Sequence, residues 1–237
     1  MLRPRSRRPV GGTVAVLLTA CLTACSGGDG ADADAPTPEQ ALSEAKRTLD
    51  ETTGLSIDLS TPGLPDGVQG ISGASGTVTD APAFDGTLEV VLSGTSFSVP
   101  VIAVDQTVWA QLPLTTGWQD IDPGEYNAPD PAGLVTGATG FASLLPATTE
   151  VVEGDSVRGG DNNEEILTTY TGTVPGGAMR QVIPSTAGDT FTATYEIADD
   201  GELREATFVG VFYPDSEEMT YTVSFEDYGT EREITAP

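Results

Sequence analysis

The 237-residue sequence contains no histidine and only two cysteines, Cys21 and Cys25. The absence of histidine removes the usual side chain for acid–base work near neutral pH and a common metal ligand. Because the two cysteines lie within five positions near the N-terminus, they cannot cross-link distant parts of a fold. A domain formed by the remaining chain must be held by its hydrophobic core and its hydrogen bonds.

Basic residues are also scarce: ten lysines and arginines stand against 36 aspartates and glutamates, a formal net charge of −26. Four arginines lie within the first eight residues and every acid follows residue 28, so residues 25–237 carry a formal charge of −30. Such a surface repels nucleic acids and anionic headgroups, and no basic stripe is present. We therefore exclude nucleic acid as a partner and attribute the acidic surface to solubility.

The N-terminus has the order of an export signal. Four arginines precede the apolar run TVAVLLTA at residues 13–20, which is too short for a permanent membrane span of ~20 residues. The tetrapeptide Leu-Thr-Ala-Cys then occurs twice and ends at Cys21 and Cys25. This pattern resembles the bacterial lipoprotein signal, which implies diacylation of the cysteine thiol and cleavage just before it.

Cys25 is the predicted lipidation site, because use of Cys21, the alternative, would shorten the apolar run. Cys25 is also followed by the flexible polar stretch SGGDG. We expect residues 1–24 to be a signal peptide, 25–36 a tether and 37–237 one folded domain. The mature protein would be anchored by lipid on the extracytoplasmic face of the cell membrane. An ordinary secreted protein with a chance cysteine is the other interpretation.

The residues after the tether predict a helix over 37–54. Thr37 is its N-cap, Pro38 its first residue, Gln40 completes a capping box, and Gly54 marks its end. From Leu55 the apolar period changes to two, which predicts strands. The predicted strands cover residues 55–60, 69–79, 87–92, 96–104, 107–112, 148–158, 164–174, 190–197, 206–212 and 219–225, and residues 118–121 form a short strand or a turn.

Two further helices are predicted among these strands. Asp130 can cap a helix over 130–145, although its glycines lower the helix propensity, and a short helical segment covers 176–183. Asp105-Gln106 and Asp200-Gly201 are predicted hairpin turns. This order predicts an α+β fold, a strongly curved antiparallel sheet (a half-barrel) with helices packed across its concave face. If the helices fill the concavity incompletely, an apolar ligand cavity remains; otherwise the core is solid.

No pattern predicts catalysis. Ser43-Glu44-Ala45-Lys46 matches S-x-x-K, a nucleophile pattern of penicillin-recognising enzymes, but its companion motifs are missing and a solvated helix face explains it. Residues 161–165 begin like a calcium loop but lack its later glycine and glutamate, so a polar turn is the better interpretation. We therefore expect a protein that is not an enzyme and needs no metal and no cofactor.

Several short segments, in this order, resemble the LppX/LprA/LprF/LprG lipoproteins of mycobacteria and related actinobacteria. They are the lipoprotein signal, the helix running into GLSIDL at 54–59, the hairpin VDQTVWA at 104–110, GWQD at 117–120, and DPAGL at 130–134. The likeness extends over most of residues 38–226. Each segment is short, so the order and spacing carry the resemblance. The chain departs from it in being far more acidic than typical members.

The resemblance implies a half-barrel similar to the lipoprotein-localisation carriers of Gram-negative bacteria, with a large cavity for acyl chains. It implies binding and transfer of acylated lipid or glycolipid. The family has no catalytic residues that could be assigned to this sequence. The cavity-lining candidates come instead from the inward periodicity. They are Leu59, Leu88, Val90, Val99, Val101, Val108, Leu134, Phe141, Leu144, Phe191, Tyr195, Phe208, Phe212 and Tyr221.

Two functions from different classes follow. The first is a monomeric, membrane-anchored lipoprotein that binds acylated lipid or glycolipid and helps to transfer it across the cell envelope. The second is a surface-anchored structural or interaction protein with a filled core and no lipid ligand. An apolar cavity would distinguish the first from the second, since the Phe and Tyr stripes of residues 191–225 suit a solid core equally well.

Overall fold

The computed structural model describes residues 36–126, 128–160 and 164–237, and Pro36–Pro237 forms one compact unit. The predicted signal peptide, almost all of the tether and both cysteines lie outside the described residues. Within the described part of the chain, no helix is long and apolar enough to cross a membrane.

Helix α1 (Pro38–Glu51) begins as the sequence predicts. The backbone N–H of Gln40 donates to Thr37 Oγ1, and the backbone N–H of Thr37 donates to Gln40 Oε1, which completes the capping box. The helix ends before the predicted Gly54, which is instead the first residue of strand β1. Glycine is required there for another reason: an added Cβ would lie 2.6 Å from the carbonyl oxygen of Thr230.

Eleven antiparallel strands form a single curved sheet that does not close. The strands are β1 (Gly54–Ser60), β2 (Gly70–Thr79), β3 (Ala83–Leu92), β4 (Thr95–Val104), β5 (Thr107–Ala110), β6 (Gln119–Ile121), β7 (Thr149–Gly159), β8 (Glu165–Pro175), β9 (Thr190–Ala198), β10 (Leu203–Gly210) and β11 (Met219–Glu226). Their order is β6-β5-β4-β3-β2-β1-β11-β10-β9-β8-β7, so β6 and β7 are the edges. The predicted fold class is confirmed.

Two meanders make up this sheet, one of β1–β6 and one of β7–β11. They are joined by the pairing of β1 with β11, in which Ile57 lies opposite Phe225 and Leu59 opposite Val223. These inward residues are buried on both strands. The first and last strands therefore hold the two halves together, although more than 150 residues separate them in the sequence.

The turns between paired strands agree with the predicted hairpins. Asp105 and Gln106 have φ values of 55° and 64°, as a two-residue turn with the twist of a hairpin requires. Gly201, in the turn between β9 and β10, has φ of 84°. Strand β10 covers Leu203–Gly210, so the predicted strand over 206–212 begins three residues late and ends two residues late. Phe212 nevertheless points into the core and is fully buried.

The predicted helix over 130–145 is wrong. Asp130 does cap a turn, since its Oδ1 accepts from the backbone N–H of Ala132, but this 3-10 turn covers only Pro131–Gly133. A second 3-10 turn at Phe141–Ser143 leads into the short helix α2 (Leu144–Ala147). Between them the chain loops back, and the backbone N–H of Phe141 donates to Leu134 O. The glycines of this segment favour such a loop over a continuous helix.

The three helices pack on the concave face of the sheet. Helix α1 contacts α2, the turn at Phe141–Ser143 and β7, while α3 (Gly176–Val182), which was predicted, contacts α2, β8 and β9. The helices therefore cover mainly the β7–β11 half. The β3–β4 region is contacted instead by the turn at Pro131–Gly133.

Candidate functional site

Two apolar pockets lie on the concave side of the sheet. The central pocket has a volume of about 420 Å³ and lies between β1–β3, residues 126 and 128–134, and the loop at 183–187 that follows α3. The edge pocket has a volume of about 190 Å³ and lies between β3–β5 and residues 112–126 and 128–131. Both are lined by Gln69, Gly70, Ile71, Leu88, Tyr126, Ala128, Pro129 and Pro131, so they are contiguous.

Nine of the fourteen cavity-lining candidates line these pockets. Leu59, Leu134, Phe141 and Tyr221 line the central pocket, Val90, Val99, Val101 and Val108 line the edge pocket, and Leu88 lines both. The inward periodicity of β3–β5 thus brings residues from three neighbouring strands onto one apolar wall. Their role as lipid contacts stays a prediction.

The other five candidates lie in solid core and line neither pocket. They are Leu144, Phe191, Tyr195, Phe208 and Phe212, and each is at most 1% exposed. Their rings pack against one another and against neighbours: the ring centroids of Phe191 and Phe212 are 4.8 Å apart, and those of Tyr195 and Phe208 are 5.9 Å apart in an edge-to-face arrangement. The β7–β11 half of the concave face is therefore filled by aromatic side chains.

Tyr195 shows how this core accommodates polar atoms. Its hydroxyl lies 2.8 Å from Thr148 Oγ1, whose own hydroxyl also reaches Leu144 O at 2.8 Å. Burial raises the pKa of Tyr195 well above its ordinary value, so the phenol stays neutral. Each buried hydroxyl in this half of the core thus has a partner.

The central pocket is lined by a residue whose buried hydroxyl has no hydrogen-bond partner among the described residues. Thr186 lines it and is 4% exposed, yet Thr186 Oγ1 has no hydrogen-bond partner. Among the buried side chains of residues 36–126, 128–160 and 164–237, no other nitrogen or oxygen is left without one. A buried polar atom in this state is unfavourable, and a polar ligand atom would relieve it once the Thr186 side chain turns its hydroxyl, which is itself buried, toward the pocket.

A pair of tyrosines forms a second polar element of the central pocket. Tyr221 donates its hydroxyl proton to Ile71 O, and Tyr213 lies 3.0 Å from Tyr221, oxygen to oxygen. Burial, followed by the proximity of Tyr213, raises the pKa of Tyr221. Gly70 permits this arrangement, because a Cβ there would lie 2.2 Å from the Tyr213 hydroxyl oxygen. The tyrosine pair is therefore a fixed, uncharged part of the wall.

Neither pocket is lined by a charged side chain among the described residues. This is notable in a chain with 36 acidic residues. The pockets can accordingly accept apolar chains and neutral polar groups, but they provide no counter-ion for a charged group. Across the described residues, no cluster of three or more acidic or cysteine side chains is arranged to hold a metal ion.

Much of the pocket wall has no periodic pattern from which it could be predicted. Tyr126, Ala128 and Pro129 line both pockets but lie in a polar, proline-containing segment without periodicity. The loop at 183–187, which carries Thr186, has no periodicity either. Ile71 lines both pockets and could have been included among the cavity-lining candidates, because it is an apolar residue inside a predicted strand.

Two segments considered in the sequence analysis lie outside the described residues. The lipidation site at Cys25, with Cys21 as the alternative, lies outside the described residues. The same holds for residues 161–163, where the weak calcium-loop pattern begins.

The chain matches a protein family over nearly all of its described length. Residues 37–236 match the family model described as LppX_LprAFG lipoprotein. No curated protein matches the sequence. The family match therefore covers the entire sheet and all three helices.

Solved structures support the same fold. The crystal structure of LprF from Mycobacterium bovis matches with a TM-score of 0.68 and 12% identity, covering 86% of this chain and 98% of that chain. The crystal structure of the lipoprotein LppX from Mycobacterium tuberculosis matches with a TM-score of 0.61 and 18% identity, covering 84% and 99%. At these identities the likeness concerns the fold alone. Together with the match over residues 37–236, it shows that the chain belongs to the LppX_LprAFG lipoprotein family.

Proposed function

We propose that this protein is a cell-envelope lipoprotein that binds acylated lipid or glycolipid in the central and edge pockets and helps to transfer it across the envelope. The observation that carries the proposal is the pair of contiguous apolar pockets without a charged lining residue. Membership of a lipoprotein family supports it. The protein binds its ligand without covalent chemistry and acts as a monomer.

The energetics of an acyl chain suit such a site. Each CH₂ group removed from water contributes about 0.8 kcal/mol, so a wall of valine, leucine and proline side chains provides the affinity. A carrier must also release its cargo. A wall that makes few polar bonds does not fix the ligand in one position, which keeps exchange with a membrane possible.

The uncharged polar groups give the ligand an orientation. Acyl chains would follow the valine-lined edge pocket, while an ester or hydroxyl oxygen would lie near Thr186 in the central pocket. The ligand oxygen would then accept the hydrogen bond that Thr186 lacks. A neutral headgroup fits this arrangement better than a charged one, because no pocket residue could pair with the charge.

The predicted anchor adds to the transfer function. Acylation of Cys25 would hold the domain on the extracytoplasmic face of the cell membrane through the tether of residues 25–36. The tether would keep the pockets at high effective concentration near the membrane that donates or accepts lipid.

The alternative is a surface structural or interaction protein that carries no lipid. The aromatic core of the β7–β11 half favours it, since five of the fourteen cavity candidates are used for packing there. In that case the two pockets would be minor packing defects of a solid protein.

Native mass spectrometry of residues 36–237, purified from bacteria, tests the proposal. We expect a stoichiometric acyl-bearing ligand that organic extraction releases. Protein stripped of ligand should take up dioctanoylglycerol from solution and diacyl lipid from vesicles. A protein that is empty on purification and takes up neither lipid would refute the carrier function and favour the alternative.

A further inference from the structure

One region of the molecule has very few charged residues. Between Val90 and Gln119 the sequence has a single charged residue, Asp105, whereas 19% of the whole chain is charged. Asp105 lies in the β4–β5 turn, at the far end of the ten-residue strand β4 and about 30 Å from its first residue. The opposite end of β3–β5 is therefore uncharged. We call residues 92–95 and 111–118, which form this end, the uncharged tip.

The two parts of the uncharged tip lie at the same end of the sheet. Residues 92–95 form the turn between β3 and β4, where Leu92 pairs with Thr95. Because β5 is antiparallel to β4, the chain leaves β5 in the direction of this turn, and Gln111 N–H donates to Pro100 O as it does so. Leu92, Leu112 and Pro113 all line the edge pocket. The tip is thus the rim of that pocket.

Leu114, in the uncharged tip, combines an exposed apolar side chain with a left-handed backbone conformation. Its side chain is fully exposed, with a relative accessibility of 106%. Its φ is 69°, in a turn where Thr115 N–H donates to Leu112 O at 3.2 Å, and glycine is the residue that such a position favours. The left-handed backbone opposes folding, and the side chain gains nothing from folding because it stays in water. Leu92, 43% exposed, is a second exposed apolar side chain of the tip.

The remaining charges restrict which surface this tip can meet. Glu89 lies three residues before Leu92, about 10 Å back along β3, and Asp120 follows the tip in β6. Asp66 lies in the connection that enters β2 at this same end, one strand from β3. The acidic connection between β10 and β11 emerges at the same end, but β11 is three strand spacings from β3, about 14 Å. At physiological salt, charges more than about 8 Å away are largely screened. The uncharged tip can therefore approach an apolar surface more closely than the rest of this acidic protein, with Asp66 and Asp120 at its margins opposing the approach.

We propose that the uncharged tip docks on a lipid bilayer surface by inserting Leu114, which places the edge pocket against the membrane. The occupant is a zwitterionic or neutral bilayer, since a formal charge of −30 after residue 24 disfavours an anionic one. Burial of one leucine side chain corresponds to an increase of about tenfold to a hundredfold in the partition constant. The docking is a surface property and does not require that the pockets hold lipid.

The Leu114→Gly substitution should raise the unfolding temperature and lower the partition constant onto vesicles, so it separates the two effects. Glycine relieves the positive φ, so the variant should unfold at a higher temperature than the wild type. Its partition constant onto phosphatidylcholine vesicles should nevertheless fall at least tenfold, as measured by sedimentation with residues 36–237. Val152→Ser is the matched control, because Val152 is also exposed (60%) but lies on the opposite edge strand β7; it should bind like the wild type.

Tryptophan fluorescence gives an independent readout. The sequence has two tryptophans, and Trp118 lies in the tip. Brominated phosphatidylcholine should quench the wild-type emission, and it should quench the Leu114→Gly variant much less. Vesicles containing anionic lipid should bind the protein more weakly at low salt, and high salt should remove the difference.

Four results would overturn the inference: no binding of the wild type to phosphatidylcholine vesicles, equal binding by Leu114→Gly, an equal loss in Val152→Ser, or stronger binding to anionic vesicles. Uptake of dioctanoylglycerol from solution, measured without vesicles, keeps the proposed function separate. Uptake without vesicle docking would sink this inference alone, whereas docking without uptake would sink the proposed function alone.

Discussion

Replacement of Thr186 by valine should change the stability of the ligand-free protein and its lipid affinity in opposite directions. Thr186 is 4% exposed and its hydroxyl has no partner among the described residues. A buried polar group without a hydrogen bond costs about 1–3 kcal/mol, and valine has nearly the same shape without the hydroxyl. We expect Thr186→Val to raise the free energy of unfolding by that amount. The thermal midpoint would rise by about 2–4 °C for each kcal/mol in a domain of this size.

Lipid binding should favour threonine over valine at position 186. In the proposed complex of the wild type, the Thr186 hydroxyl turns toward the pocket and donates to an ester oxygen of the ligand, which removes the cost of the orphaned group. In the valine variant the same oxygen faces a methyl group and is itself left unpaired, which costs about 1–3 kcal/mol. Affinity for dioctanoylglycerol should therefore fall about tenfold, while affinity for hexadecane, which has no oxygen, should not fall.

The assay combines thermal unfolding without ligand and calorimetric titration with the two probes. Thr79→Val is the matched control, because Thr79 is 6% exposed, lines neither pocket and donates to Ala81 O at 2.7 Å. That variant loses a hydrogen bond that is made, so it should be destabilised and should bind both probes like the wild type. If Thr186→Val unfolds more readily than the wild type, its hydroxyl has a partner such as bound water and the reasoning is refuted.

Three further changes test other parts of the site. Leu88→Trp, in the wall that both pockets share, should block uptake of dioctanoylglycerol in native mass spectrometry with circular dichroism unchanged; undiminished uptake would place the lipid elsewhere. Gly70→Ala should lower the thermal midpoint, because its Cβ would displace Tyr213; an unchanged midpoint would contradict the close approach. Burial, and then the cross-strand Glu205, raises the pKa of Glu196, so ionised Glu196 opposes folding. Glu196→Gln should therefore stabilise the protein at pH 7 in urea unfolding, with the gain fading as the pH falls through the raised pKa of folded Glu196 and absent below 4.5; a gain independent of pH would exclude this cause.

Features encoded within a few neighbouring residues could be predicted from the sequence. The capping box of Thr37 and Gln40 needs only four residues, and it starts α1 where predicted. The Asp105-Gln106 turn likewise depends on two residues and the strands beside it. Alternation of apolar residues then assigned the inward face of each long strand, because the side-chain period of a strand is fixed at two.

Features that depend on distant contacts could not be predicted. The pairing of β1 with β11 joins strands at the two ends of the domain, and nothing local in Gly54–Ser60 specifies Met219–Glu226 as its neighbour. The segment 130–145 fails for a related reason. Its apolar residues suit a helix face, but Leu134 and Phe141 are buried through a loop that closes by the Phe141 N–H to Leu134 O bond. Tertiary burial overrides the local pattern there.

The location of the pockets follows from the volumes of the inward side chains, which an apolar–polar pattern does not register. The inward residues of β9–β11 include Phe191, Tyr195, Phe208 and Phe225, whereas those of β4 and β5 are Val99, Val101, Ala103, Val108 and Ala110. Large rings meet α1–α3 and leave no space, while valine and alanine leave a gap beneath residues 112–126 and 128–131. Such a gap persists because the β3–β6 ladders hold the strands in place and the surroundings cannot collapse into it. The candidates from β3–β5 therefore line a pocket and all three from β9 and β10 lie in the core, although both sets have the same periodicity.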